Sequence, residues 1–179
     1  VEVRSYTDLL YRDRFWVSVT AGYTLQMADS RVMRITDGPD KPIAAAYRQQ
    51  TVTRNLGDMM DVAVIPRWNL NDYLTFSGHY AYRRRFADAY TGMFQVANLA
   101  GALVAIDASA LNAETESREH RVGGGVTFST LASVAKGKAR LPLEISLLHS
   151  ETTLGSGGKL PKVSIDRVEV RIYRRLFGR

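Results

Sequence analysis

The sequence predicts an all-β chain folded as an antiparallel up-and-down barrel that crosses a membrane, with about seven or eight strands in view. Three observations carry this reading. Apolar and polar residues alternate with period two over segments of about 11 residues, near the ~9–11 that a tilted transmembrane strand needs. The connections between these segments alternate short and long. Aromatic side chains gather near the segment ends, as amphipathic rings do at the two faces of a bilayer.

The segments follow in order. Val1 to Leu10 is the weakest. In Phe15 to Leu25, the residues Phe15, Val17, Val19, Ala21, Tyr23 and Leu25 share one face, opposite Trp16, Ser18, Thr20, Gly22 and Thr24. Met60 to Leu70 sets Val62, Val64, Pro66, Trp68 and Leu70 against Asp61, Ala63, Arg67 and Asn69. Asn71-Asp72 supplies a tight turn. Tyr73 to Arg83 sets Leu74, Phe76, Gly78, Tyr80 and Tyr82 against Thr75, Ser77, His79, Ala81 and Arg83. His120 to Thr130, Pro142 to Thr152 and Asp166 to Leu176 complete the series. A turn near Tyr11–Asp13 and a moderate one around Ala132–Leu141 alternate with long outer loops at about 27–59, 84–119 and 153–165. All three long loops fall at one end of a single domain spanning residues 1–179.

Composition agrees without deciding. Hydrophobic residues make up 45% and charged residues 23% of the chain, ordinary values for a folded domain and also for a membrane barrel. No apolar run reaches the ~20 residues of a spanning helix. The chain has no cysteine, so no thiolate chemistry or disulfide framework is available, and neither a metal nor a cofactor is expected. The net charge of +6 comes from scattered residues without a nucleic-acid motif, which argues against that partner. The chain opens VEVRSY, consistent with a removed leader or a start inside a longer polypeptide.

The stretch VAVIPRWNLNDYLTFSGHYAYRRR from Val62 to Arg85, and the closing stretch DRVEVRIYRRLFGR, resemble the Gram-negative outer-membrane β-barrel superfamily. The resemblance covers most of the chain as a pattern, without a specific motif. It implies location in the bacterial outer membrane, short turns on the periplasmic side and long loops outside. Phe15, Trp16, Trp68, Tyr73, Tyr173 and Phe177 then form a periplasmic membrane-interface girdle, with Tyr23, Tyr80 and Tyr82 near the outer interface. Seven strands is an odd number, whereas bacterial single-chain barrels have an even one. The preferred expectation is that these are the last strands of a larger barrel. The alternative is an eighth strand hidden in Ala44–Arg54.

On this frame Asp61, Arg67, His79, Arg83, Arg121, Glu144, Glu169 and Arg171 line the lumen, together with Arg167. They make either a polar pore wall or a salt-bridged interior that closes a small barrel. Arg84 and Arg85 are candidates to contact lipopolysaccharide phosphates, against the plainer reading of a solvated rim. Ser77 and His79 share a face, but no orienting acid or oxyanion hole is specified, so they read as polar lining and no catalytic residue is assigned. His149, Ser150 and Glu151 are adjacent, so they point to opposite faces. Gly123–Gly125 marks a bend, bulge or close approach and not a phosphate loop. Phe94 to Leu111 is expected to form a loop helix covering its own barrel, with a constriction or a docking element as alternatives. The functions expected are passive transport or structure, with no enzymatic activity; the alternative is a scaffold whose loops bind another protein or surface polymer. A lipid hydrolase and a soluble ligand-binding barrel stand further back.

Overall fold

The computed structural model describes residues 1–37, 43–158 and 162–173. Its main element is a seven-stranded antiparallel sheet. The strands are β1 (Glu2–Tyr11), β2 (Phe15–Thr24), β5 (Met59–Asn69), β6 (Leu74–Arg85), β10 (Ser117–Ser129), β11 (Leu143–Ser156) and β12 (Ser164–Ile172), paired in that order. All seven expected segments contain strands whose described limits lie within a few residues of those anticipated; the end of the last segment, at Leu176, lies outside the described residues. Each pairs only with its neighbours in this order, as in a meander.

The first four connections alternate short and long as expected, whereas the expected long loop at about 153–165 is corrected: β11 runs on to Ser156, so the 157–163 link is shorter than the 130–142 link before it. Short links join β1 to β2 and β5 to β6, and the link from β10 to β11 carries the one-turn helix α1 (Leu131–Ala135). Asn71 fixes the second of these, its side-chain oxygen accepting from the N–H groups of Tyr73 and Leu74 at 2.8 and 2.9 Å. This end of the sheet is called lower below, and the end bearing the long connections upper.

A second expectation about the long connections is corrected: Phe94 to Leu111 is not a helix. Two of them fold together into a small β unit: β3 (Asp29–Arg34) pairs with β4 (Gln49–Asn55), which pairs with β7 (Ala89–Thr91). A hairpin of β8 (Met93–Ala97) and β9 (Leu103–Asp107) sits beside them, followed by a 3-10 turn at Ala108–Asn112. The hairpin wins because Phe94, Val96, Val104 and Ile106 alternate toward one side, while Asn98 caps the turn at Ala100 and Ala102. The strand anticipated in Ala44–Arg54 does form, as β4. It belongs to the small unit and adds nothing to the main sheet.

Among the described residues every buried apolar side chain lies in this small unit: Ile35, Val52, Tyr90, Val96, Ile106 and Ala108. Met33, Tyr47, Leu56, Phe94 and Leu111 pack around them. Arg48 is buried there too, its Nε donating to the Ile35 carbonyl at 2.7 Å and its Nη1 paired with Asp37. Asp88 ties the unit to the sheet. Its carboxylate accepts from the Gly57 N–H at 2.8 Å and from Arg85, the last residue of β6, at 2.9 Å. Gly57 must be glycine, because a Cβ there would lie 1.8 Å from the Phe86 carbonyl oxygen.

The described residues form an open antiparallel sheet and not a closed barrel of seven or eight strands. The outer edges of β1 and β12 are unpaired. Alternation along a chain specifies which face a residue occupies, but not how many strands complete a ring. Gly123 and Gly125 lie where β11 presses on β10. A Cβ on Gly123 would meet the His149 carbonyl at 2.5 Å, and one on Gly125 the Leu148 side chain at 2.4 Å. The expected close approach is therefore real.

Candidate functional site: two faces of one sheet

Because cross-strand partners share a face, the register sorts the whole sheet. The concave face carries the charges. Arg67 pairs with Trp16 and Ser77, and Arg83 pairs with both Asp61 and Glu119. His79 pairs with Gly123, Arg121 with Ala81, and Glu144 with Arg171. With Glu169 opposite Ser146 and Arg167 opposite Leu148, all nine residues anticipated as lumen lining fall on one face.

Ion pairs neutralise most of them. In the upper half Arg4 contacts Asp61 at 3.3 Å and Arg121 contacts Glu119 at 2.7 Å, while Thr152 donates to the same carboxylate at 3.1 Å. In the lower half Arg171 reaches Glu144 at 3.2 Å and Glu169 at 2.6 Å, and Arg167 holds Glu169 at 2.6 Å. The lower half holds a cavity of about 1200 Å³, bordered by Trp16, Arg67, Thr75, Ser77, Thr127, Glu144, Ser146, Glu169 and Arg171, with Asp13, Arg14 and Asp72 at its lower rim. Thr127 and Ser146, neighbours on β10 and β11, share a hydrogen bond at 2.9 Å on its wall. Ser77 is 3.5 Å from the Gly125 carbonyl, as a lining hydroxyl would be.

The convex face is apolar. One cross-strand row runs Phe15, Trp68, Phe76, Val126, Leu147, Val168 across six strands. Trp68 and Phe76 face each other with ring centroids 6.2 Å apart, and Tyr73 stacks on Phe128 at 6.1 Å. Near the upper end Tyr80 and Tyr82 flank His120, with centroids 6.1 and 4.9 Å away. Tyr23 is level with Met60 on β5, and its hydroxyl donates to Asp58 at 2.5 Å.

This band is slanted. Its uppermost apolar or aromatic members are Tyr23 on β2, Met60 on β5, Tyr82 on β6, Val122 on β10, Leu147 on β11 and Val168 on β12. The row that is lowest on β2, at Phe15, is thus the highest on β12, at Val168. The lower border descends in the same sense, from Phe15 through Leu74 and Phe128 to Leu143 and Ile172. Polar convex residues lie above the border: Arg84 and Arg118, then His149 bonded to Asp166 at 2.7 Å, with Glu151. Leu154, past a bulge between His120 and Arg121, is an apolar exception, and β1 carries Ser5 and Thr7 in mid-strand.

Trp16 is at the lower end as anticipated but not in the convex girdle. It lies on the concave face, with the Arg67 guanidinium 6.0 Å from its ring centroid. Its even position in β2, opposite Phe15, required this. Arg85 is not a free rim charge, being held by Asp88, whereas Arg84 shares Glu116 with Arg118 at 2.9 and 3.0 Å. Those two arginines, Arg118 first, hold the Glu116 carboxyl below its ordinary pKa by hydrogen bonding. Tyr173 closes the lower end, its N–H donating to the Pro142 carbonyl at 2.9 Å; Phe177 lies outside the described residues.

The chain matches no protein-family model, no curated protein and no solved structure. Its function is therefore argued from the two faces alone.

Proposed function

We propose that this chain forms the wall of a bacterial outer-membrane β-barrel, its convex face against lipid and its polar concave face along a passage for small solutes. The observation that carries this reading is the slanted apolar band. Strands in a membrane barrel tilt by about 35–45°, so a flat bilayer border shifts by roughly 1–1.5 residues per strand, given ~3.3 Å per residue and ~4.8 Å between strands. Five strand steps separate β2 from β12, which predicts a shift of about 5–7 residues. The border falls from the level of Tyr23 to that of Phe15, roughly eight residues.

The height also fits. From Phe15 to Tyr23 is about 27 Å along the strand and about 20 Å along the barrel axis, close to the ~25 Å apolar band of such proteins. Val3 and Val168 are each 70% exposed and Val170 is 58% exposed, and a face of this kind calls for lipid or a protein to cover it. A soluble ligand-binding barrel buries its apolar face inward, the reverse of this arrangement.

Completion of the wall follows from strand direction. With seven strands alternating, β1 and β12 run the same way. An antiparallel closure therefore takes an odd number of further strands, those next to β1 and β12 running opposite to both. Lipid tolerates no unpaired strand edge.

Cell fractionation followed by gels with and without boiling tests the reading. It expects this polypeptide in the outer-membrane fraction, with a heat-dependent shift. Recovery in the soluble fraction without a shift overturns it. A second reading, a non-enzymatic scaffold, draws on the small β unit, whose hairpin presents Met93, Leu99 and Leu103 at 81%, 96% and 73% exposure. Single-channel conductance separates the two, since a scaffold with a sealed lumen passes no current.

A further inference from the structure

Arg67 differs from the other arginines of the concave face. Arg4, Arg121, Arg167 and Arg171 each hold a carboxylate within 3.3 Å. Arg83 stands in register between Asp61 and Glu119. Arg67 has no ion pair among the described residues; its strand partners are Trp16 and Ser77, and its guanidinium lies over the Trp16 ring. Contact with an aromatic face leaves the edge of the guanidinium and its N–H donors free for a carboxylate, which it matches in a two-pronged geometry.

The surroundings narrow the ligand. Asn69, Thr75, Ser77, Thr127 and Ser146 form a wall of hydroxyls and one amide beside Arg67. Such groups both donate and accept, and they suit a ligand rich in hydroxyls. Glu144 and Glu169, already balanced by Arg171 and Arg167, border the same cavity, and Asp13, Arg14 and Asp72, the last held by Lys136, stand at its lower rim. Those carboxylates offer acceptors to hydroxyls but repel a second negative charge. The Trp16 ring adds an apolar surface for the face of a small ring. The cavity, at about 1200 Å³, holds a ligand of this size with room to spare.

We infer that Arg67 and Trp16 form a binding subsite for a monoanionic polyhydroxy acid, such as a sugar acid of the uronate or aldonate class. The inference rests on the concave face being a solute passage and names the kind of solute that lingers there. Phosphorylated sugars, with two negative charges, bind less well because Glu144 and Glu169 border the site.

The chain's two tryptophans make the test direct. In a Trp68→Phe background the emission of the detergent-folded protein reports Trp16 alone. Glucuronate is expected to change it saturably, while glucose and acetate are weaker by about tenfold or more, each lacking half of the contacts. Arg67→Met should abolish the glucuronate response and leave the fold, read by the heat-dependent gel shift, intact. Calorimetric titration of the unsubstituted protein gives the same comparison should Trp68→Phe disturb folding. A glucuronate response equal to that of acetate, or one that survives Arg67→Met, overturns the subsite. A heat-shifting membrane protein without a response removes the subsite alone. A soluble chain that still responds removes the membrane reading alone.

Discussion

Arg85, the last residue of β6, grips both carboxylate oxygens of Asp88 at 2.9 Å, and that one ion pair joins the seven-stranded sheet to the small β unit above it. Asp88 is 5% exposed and also receives the Gly57 N–H, so its loss leaves a backbone donor and a cation unsatisfied together. Asp88→Ala should therefore destabilise the upper unit by about 1–3 kcal/mol while leaving the sheet in place. Limited proteolysis should cut between β3 and β9 at least several times faster in the variant. Equal cutting rates would show that Asp88 is dispensable.

Gly57 gives a sharper steric test. A Cβ there overlaps backbone, which cannot swing aside, so Gly57→Ala should cost about 3 kcal/mol or more. Gly101 is the control. Its φ is +77° but no atom lies within 4 Å of an added Cβ, so Gly101→Ala carries only the left-handed backbone penalty of about 1 kcal/mol. Urea titrations of the two variants should separate clearly, and equal midpoints would contradict the close approach of Gly57 to Phe86.

The upper unit should also loosen in acid. Arg54 holds both oxygens of Asp29, at 2.5 and 2.7 Å, and this hydrogen bonding lowers the Asp29 pKa. Asp58 is lowered by the Tyr23 hydroxyl and then by the Gln26 N–H. A carboxyl whose folded pKa is depressed contributes stability that is complete above its unfolded pKa, about 3.9, and is lost as pH falls through the folded value. Amide exchange in β3 and β4, corrected for intrinsic rates, should be level from about pH 5 to 8 and rise below about pH 4. Asp29→Asn should remove part of that rise. An unchanged acid profile in the variant would mean the Asp29–Arg54 pair does not couple to folding.

The sheet makes opposite demands on adjacent residues. Val126 pairs with Phe76 and Leu147 on the convex face, whereas Thr127 borders the cavity. Val126→Arg should cost about 2–4 kcal/mol against lipid, the range for arginine near a bilayer midplane, and Thr127→Arg much less. The yield of heat-shifting protein after refolding into vesicles measures the difference. Similar yields for the two variants would count against a lipid-facing convex surface.

What the residues disclose in advance follows from the physics of each element. Phe15 to Tyr23 and Met60 to Trp68 were legible because alternation held over whole strands, and face assignment needs nothing else. The lumen set from Asp61 to Arg171 followed from the same parity. Trp16 was misplaced because its position along the strand was weighed above its parity. The β8–β9 hairpin was missed because alanine and leucine between Met93 and Ile106 blur period two into an apolar run. β3 and β7, short and rich in polar residues, are held by Ile35, Val52 and Tyr90 meeting across distant segments, a contact no local pattern announces. Parity puts Arg67 on the charged face, but its lack of a carboxylate partner is a property of the folded register alone.

The central claim is that the convex face meets lipid and the concave face meets water, and the absence of native cysteine allows a clean test. Single cysteines at Val64, Val126 and Val168, and at Thr75, Thr127 and Ser146, can each carry a fluorophore in protein folded into vesicles. The first three should be quenched by a brominated lipid and spared by aqueous iodide, and the second three should show the reverse. Iodide quenching of all six, with no effect of the lipid quencher, would contradict the account.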